Sequence, residues 1–165
     1  MTAADRQRLV SLARYLIEHR NQLGYPVNDV RGPLDQATWK ITTALGMQRA
    51  ITAGKTLTFD CSQAVTQLYR WAKLSDPNGL DYTHSGYTGT MLAHLRHYSD
   101  ASAARDGALV VFGPGTGEHV SMVIERGPDP VLFSHGATHA SGPIRLSVER
   151  TFHRPPVTLL NVSGL

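Results

Sequence analysis

DGALVVFGPGTGEHVSMVIERGPDPVLFSH, residues 106–135, sets the fold class predicted for this chain. This stretch holds three apolar runs separated by segments rich in glycine and proline, and the middle run, HVSMVIE, alternates between two faces. A period of two residues is typical of a β-strand, and short connections between strands favour antiparallel pairing. The stretch therefore predicts an antiparallel sheet, which the apolar segments at 143–149 and 157–162 extend.

Helical patterns precede this sheet. Apolar residues recur at helical spacing from Leu9 to Ile17, after a Thr–Asp capping box that predicts where the helix begins. A weaker helix is predicted within residues 36–51, and a short one over 89–98 with Thr88 as its cap.

Helices first and strands later indicate an α+β arrangement. We expect a single domain over residues 1–165, with a helical N-terminal portion over 1–57 and a further helix plus the sheet over 58–165. A content of 41% hydrophobic and 18% charged residues is typical of a folded globular protein.

The only cysteine of the chain lies in TFDCSQAV, residues 58–65. Asp60 and Gln63 form a capping box, which predicts a helix that begins at Cys61. The unsatisfied N–H groups and the dipole of a helix N-terminus favour an anion, so a thiolate would be stabilised there. Cys61 is therefore a candidate nucleophile, and an inert, partly buried thiol is the alternative.

A nucleophilic cysteine needs a histidine base and a group that orients this base. Of the eight histidines, His119 opens the alternating strand and His135 ends the next one, so neighbouring strands can place them side by side. His139 is an alternative orienting residue. His94 and His97 are alternative metal ligands, but no HExxH motif accompanies them, and a solvated helix face explains them better.

Charge and composition narrow the classes of function. The formal charge of +3 and the pI near 9.2 come without a dense basic stripe, so nucleic-acid binding is not expected. One cysteine excludes an internal disulfide framework and a zinc cluster of thiolates. No apolar run approaches the roughly 20 residues that cross a bilayer. The N-terminus has no signal-peptide pattern, so we expect a protein made in the cytoplasm without a signal peptide.

Four motifs occur in order between Phe59 and about Val148: FDCS at a helix start, DGALVVF, EHVSMVIE and VLFSHGA. This ordered set resembles the NlpC-type cell-wall cysteine peptidases. The resemblance implies a papain-like fold, with Cys61 as nucleophile, His119 as general base and then acid, and His135 as the orienting third member. It implies neither a cofactor nor a metal.

Further residues are candidate substrate contacts. Tyr25 resembles the tyrosine that lines the substrate pocket of this family, and Asp60 and Ser62 flank the thiol. Tyr82 and His84 lie in a polar loop that could form a wall of the groove.

The chain also departs from the family pattern. Gln63 and Ser121 stand where the family usually has glycine, and the tryptophan and paired glycines that usually follow the pocket tyrosine are absent. Both substitutions change the shape of the pocket, so they bear on substrate specificity.

The implied activity is hydrolysis of an amide bond in the stem peptide of bacterial peptidoglycan, at the cell wall. A bacteriophage lysis enzyme released through a holin, or a virion-associated wall hydrolase, would suit a chain without a leader. Three alternatives stay open: an N-acetylmuramoyl-L-alanine amidase, a non-catalytic wall-binding or phage structural module, and a metal-dependent hydrolase that uses His94 and His97. The oligomeric state is not predicted.

Overall fold

The computed structural model describes residues 1–26, 33–98, 104–136 and 141–165. N-terminal helices pack against a six-stranded antiparallel sheet, which confirms the predicted α+β class. The helices described are α1 (Ala3–Glu18), α2 (Pro33–Trp39), α3 (Ala44–Thr52), α4 (Cys61–Trp71), α5 (Thr88–His94) and α6 (Leu146–Glu149), with a 3-10 turn at Arg20–Gln22. The strands described are β1 (Leu23–Gly24), β2 (Leu57–Thr58), β3 (Arg96–His97), β4 (Leu109–Phe112), β5 (His119–Glu125), β6 (Val131–Ser134), β7 (Gly142–Arg145) and β8 (Val157–Asn161).

The main sheet has the strand order β3-β8-β4-β5-β6-β7, and β1 pairs with β2 in a separate parallel ladder. In the central hairpin Phe112 lies opposite His119, and on the other side of β5 Met122 lies opposite Phe133. The strand that begins with His119 is therefore central, with paired neighbours on both sides.

The main core lies between the helices and one face of this sheet. Leu9, Leu16 and Leu68 of α1 and α4 are fully buried with Met122 and Phe133 of the sheet. A smaller apolar cluster on the opposite face explains why nearly all of β5 is buried. Side chains of β5 therefore lie in protein on both faces, and its first residue is held rigidly.

Two predicted elements differ in detail. The helix predicted within 36–51 is two helices, α2 and α3. The Trp71 indole of α4 donates to the Ile41 carbonyl between them, and the Gln67 amide donates to the Thr38 carbonyl in the last turn of α2. The strand predicted over 143–149 ends at Arg145 and continues as α6. Asp129, from the turn before β6, accepts the Ser147 backbone N–H at 2.8 Å and stabilises the start of this helix.

The cap of the fifth helix is also shifted by one residue. Tyr87 is the N-cap of α5 and Thr88 is its first residue, rather than Thr88 being the cap. No helix in the described ranges is long and apolar enough to span a membrane.

Candidate active site

The predicted capping box places Cys61 as the first residue of α4. Asp60 Oδ1 accepts the Gln63 backbone N–H at 2.8 Å, and Gln63 Oε1 accepts the Asp60 N–H at 3.0 Å. The thiol is free and only 7% exposed. Cys61 thus lies where the N–H groups of the first helical turn point towards it and favour the thiolate.

His119, the first residue of β5, is brought to this thiol. Its side chain hydrogen-bonds to Cys61, and its Nε2 lies 3.0 Å from Glu149 Oε1. With Nε2 engaged by the carboxylate, Nδ1 is the ring nitrogen available to the thiol. Burial alone would lower the pKa of His119, but the hydrogen bonds and charges of Cys61 and Glu149 outweigh burial and raise this pKa to about 9. The site therefore favours a protonated His119 imidazolium beside the thiol.

Glu149 is the third member of this arrangement, and the sequence patterns did not identify it. Its carboxylate is completely buried at the end of α6, where Oε1 accepts a hydrogen bond from Ser134 Oγ at 2.7 Å. Ser121 Oγ lies 3.1 Å from His119 Nε2 and 3.4 Å from the same carboxylate oxygen. A buried carboxylate held in this way can orient the imidazole and stabilise its protonated form.

His153 is a second histidine at the same carboxylate. Its ring stacks on that of His119, with centroids 4.5 Å apart and planes 8° apart, and its Nε2 lies 3.4 Å from Glu149 Oε1. The ring therefore closes one face of His119 and limits its rotation. No sequence pattern singles out His153, because it follows α6 in a segment without a recognisable motif.

His135 does not occupy the orienting position predicted for it. Its Nε2 donates to the Phe59 carbonyl at 2.8 Å, and its Nδ1 accepts from Ser141 Oγ. The pairing of Met122 with Phe133 places His135 opposite Val120, so its side chain leaves the sheet on the face opposite to that of His119.

His135 instead ties the end of β6 to the chain just before Cys61. Burial lowers its pKa to about 4, so this histidine is neutral at ordinary pH. We therefore correct the predicted role of His135 from an orienting residue to a structural one. His139, the alternative, lies outside the described residues.

A cleft of about 220 Å³ opens beside the thiol. Three of the predicted substrate contacts line it: Tyr25, Asp60 and Ser62. Tyr87, Thr88 and Glu118 complete its wall. Since Asp60 and Glu118 are both acidic, the cleft has negative charge on two sides, and Glu118 is paired with Arg154 at its outer edge.

Tyr82 and His84 are not brought to this cleft. The Tyr82 hydroxyl donates to the Leu74 carbonyl at 2.7 Å, so this side chain fastens its own loop. His84 Nε2 lies 2.7 Å from Gln63 Nε2 and 3.3 Å from Asp35 Oδ2, behind the cap of α4. Both residues support the elements that carry the thiol instead of lining its cleft.

One cluster within the described residues has the composition of a metal site. His119 Nε2, Glu149 Oε1 and His153 Nε2 lie within 4.8 Å of one another. However, the two rings are stacked in nearly parallel, separated planes, so one ion cannot lie in both ring planes. His94 ends α5 and His97 lies in β3, so the two are not on one helix as predicted.

No protein-family model matches this chain, and no curated protein sequence matches it either. The support for a function therefore comes from the site itself. A thiol at a helix N-terminus, a histidine bound to it and a buried carboxylate on the far ring nitrogen are the groups that nucleophilic acyl transfer requires.

Proposed function

We propose that this protein is a papain-like cysteine peptidase that hydrolyses amide bonds in bacterial peptidoglycan. One observation carries the proposal: Cys61, at the start of α4, hydrogen-bonds to His119, whose Nε2 lies 3.0 Å from the buried Glu149. The wall peptide as substrate rests on the four ordered motifs that resemble the NlpC-type peptidases. The site of action would then be the bacterial cell wall, in a bacteriophage lysis enzyme or a virion-associated hydrolase.

The proposed reaction begins with the Cys61 thiolate and the His119 imidazolium. The sulfur attacks the substrate carbonyl carbon, and the resulting oxyanion accepts a hydrogen bond from the Cys61 backbone N–H. His119 then donates its proton to the leaving amine as the C–N bond breaks, which leaves a thioester on Cys61. A water molecule gives a proton to His119 and attacks the thioester, releasing the carboxylic acid and restoring the thiolate. Glu149 keeps the imidazole oriented throughout.

The cleft supports a small peptide substrate. Tyr25 and Tyr87 provide aromatic surface on its walls, and Tyr87 is 46% exposed and accessible to a ligand. Asp60 places a carboxylate close to the thiol, and such a group favours a substrate that carries a free amino group, whereas the charge of Glu118 is offset by Arg154. Stem peptides carry amino groups on their diamino acid residues, which agrees with this charge.

Digestion of purified peptidoglycan tests the proposal. Wild type and Cys61→Ala would be incubated with walls of several chemotypes, and the soluble products identified by mass spectrometry. We expect new amine-bearing peptides from the wild type alone, since the variant lacks the nucleophile. Release of intact stem peptides with a free lactyl carboxyl group on the glycan would identify an amidase instead.

Chemical labelling separates an inactive domain from a missing substrate. We expect iodoacetamide to modify Cys61 near pH 6 at a rate well above that of a free thiol peptide, because the reactive species is the thiolate. Matched circular dichroism spectra of wild type and Cys61→Ala would show that the variant is folded. An unreactive Cys61 together with the absence of products from every wall would overturn the proposal in favour of a non-catalytic module.

A further inference from the structure

A second groove lies between α1 and the far end of the sheet. Its volume is about 760 Å³, and its walls are one face of α1, the turn before β4 and the end of β5. Six charged residues line it: Arg6, Arg14, Arg105, Asp106, Glu125 and Arg126. Four guanidinium groups therefore share this groove with two carboxylates, which leaves an excess of positive charge.

The two carboxylates neutralise little of this charge. Glu125 is 3.7 Å from Arg14, and both side chains are more than half exposed, so the pair is weak. Asp106 accepts the backbone N–H of Arg126 at 2.9 Å rather than a guanidinium group. Within the ranges that the structure describes, no carboxylate lies at ion-pair distance from the guanidinium groups of Arg6, Arg105 or Arg126.

Arg6 adds a donor that is already partly desolvated. Its Nε is buried, and none of the described residues accepts a hydrogen bond from it. A guanidinium group that has lost part of its hydration gains more from an anion than a fully solvated one. Its planar fork also matches the oxygens of a phosphate group, which can accept two parallel hydrogen bonds from it.

The spacing of the charges favours an extended ligand. Arg6 and Arg14 lie eight positions apart on α1, about 12 Å along the axis at 1.5 Å per residue. A chain with repeated phosphates can contact both ends of this row of charges at once.

The groove is also remote from the thiol. β5 begins at His119 and ends at Glu125, so at about 3.3 Å per residue its two ends lie about 20 Å apart. A ligand in the groove would leave the cleft beside Cys61 free.

We propose that this groove binds a phosphodiester-linked anionic polymer of the bacterial wall, and so retains the protein on the wall while the cleft receives a peptide. The choice of a wall polymer rests on the proposed function; the phosphate chemistry rests on the arginines. Binding through two separate sites raises the effective concentration of substrate peptides at the cleft.

Co-sedimentation of the full chain with purified walls tests this inference. The probe is a Gram-positive wall that carries a phosphodiester-linked polyol polymer, compared with the same wall after hydrofluoric acid has removed that polymer. The Cys61→Ala background prevents digestion during the assay. We expect removal of the polymer to weaken binding at least tenfold, and added salt to weaken binding to the intact wall.

Arg105→Gln/Arg126→Gln removes two exposed cations of the groove, and Arg20→Gln/Arg49→Gln removes two exposed cations elsewhere as the matched control. The groove variant should lose about tenfold in affinity for the intact wall, because it loses two charge-assisted contacts to phosphate groups, which solvent screens only in part. The control should bind within about twofold of its parent. The inference would be overturned if both variants lost the same affinity, or if the parent protein bound the wall equally well after polymer removal. Binding to duplex DNA as tight as binding to the intact wall would also overturn it.

A soluble stem peptide separates this inference from the proposed function. The groove variant with an intact Cys61 should hydrolyse such a peptide at the wild-type rate, since the groove is about 20 Å from the thiol. Normal peptide hydrolysis without polymer-dependent retention would refute the groove alone. Polymer-dependent retention without any hydrolysis would refute the peptidase alone.

Discussion

Glu149→Gln tests whether the buried carboxylate of Glu149 orients His119 and stabilises its imidazolium form. The carboxylate lies 3.0 Å from His119 Nε2 and is completely buried. Glutamine has nearly the same shape and can still accept a hydrogen bond through its amide oxygen, but it carries no charge. The substitution therefore removes the electrostatic stabilisation of the imidazolium while disturbing the packing of α6 little.

The size of the effect follows from the pKa of His119. This pKa is raised from 6.5 to about 9 even though burial opposes the rise. At about 1.4 kcal/mol per pKa unit, the rise corresponds to about 3 kcal/mol in favour of the imidazolium. Cys61 and Glu149 are both sources of this stabilisation. If Glu149 contributes about half, its charge is worth about 1.5 kcal/mol, which corresponds to about one unit in the pKa of His119.

The assay is the pH dependence of kcat/KM on a soluble wall peptide, with iodoacetamide alkylation of Cys61 as a second measurement. In wild type the imidazolium should be lost as the pH rises through about 9. In Glu149→Gln this alkaline limb should move down by about one pH unit, so kcat/KM should fall roughly tenfold at about pH 10 but less than about twofold at about pH 7.5, where most of the imidazolium is still present. Because Cys61 acts on the pKa of His119, the alkaline limb reports the pair and not the imidazole alone.

Glu125→Gln is the matched control, since it removes an exposed carboxylate from the same strand. It should leave both the rate and the alkaline limb unchanged. If the alkaline limb of Glu149→Gln stays in place and its kcat/KM at about pH 10 is within twofold of wild type, the orienting role of Glu149 is refuted. A rate loss without any movement of the limb would show a purely structural role.

Three further predictions concern the neighbours of the pair. Ser134→Ala removes the donor 2.7 Å from the buried Glu149 and should lower the free energy of unfolding in urea by about 1–3 kcal/mol; a change under about 0.5 kcal/mol would contradict this. His153→Phe keeps a ring against the base and should hold kcat/KM within about threefold of wild type, whereas a loss larger than that of Glu149→Gln would make His153 the more important partner. Wild type should lose about 3 kcal/mol of its free energy of unfolding as the pH falls from 6.5 to 4, and His135→Asn should not show this loss. An NMR titration in which His135 titrates near its ordinary pKa would refute this assignment.

Local patterns predicted the parts of the site that depend on local structure. The capping box of Asp60 and Gln63 involves residues three positions apart, so the sequence alone placed Cys61 at the start of α4. The alternation along β5 likewise predicted a strand that begins at His119. These two placements supply the thiol and the base.

The third member of the site depends on long-range contacts that no local pattern reveals. Glu149 lies in PIRLSVE, whose apolar pattern predicts a strand, but residues 146–149 form α6, whose Ser147 N–H donates to Asp129 from the turn before β6. His135 failed as the orienting residue because of register: a strand end is visible in sequence, but its pairing partner is not, and an offset of one residue reverses the face. Tyr82 and His84 were chosen by residue type alone, and loop geometry directed them elsewhere.

Among the described residues, the two buried histidines, His119 and His135, oppose each other in their effect on stability. The folded-state pKa of His119 is raised to about 9, so the stability it contributes is present below pH 6.5 and is lost as the pH rises through 9. The folded-state pKa of His135 is lowered to about 4, so its contribution is present above pH 6.5 and is lost as the pH falls through 4. With these two groups alone, stability is greatest near pH 6.5. At high pH the contact that weakens is the proposed catalytic pair of Cys61 and His119. At low pH the contact that weakens is that of His135 with the Phe59 carbonyl, which holds the chain just before Cys61. Acid inactivation should therefore follow the loss of folded protein, and alkaline inactivation should begin with loss of the imidazolium while the protein is still folded.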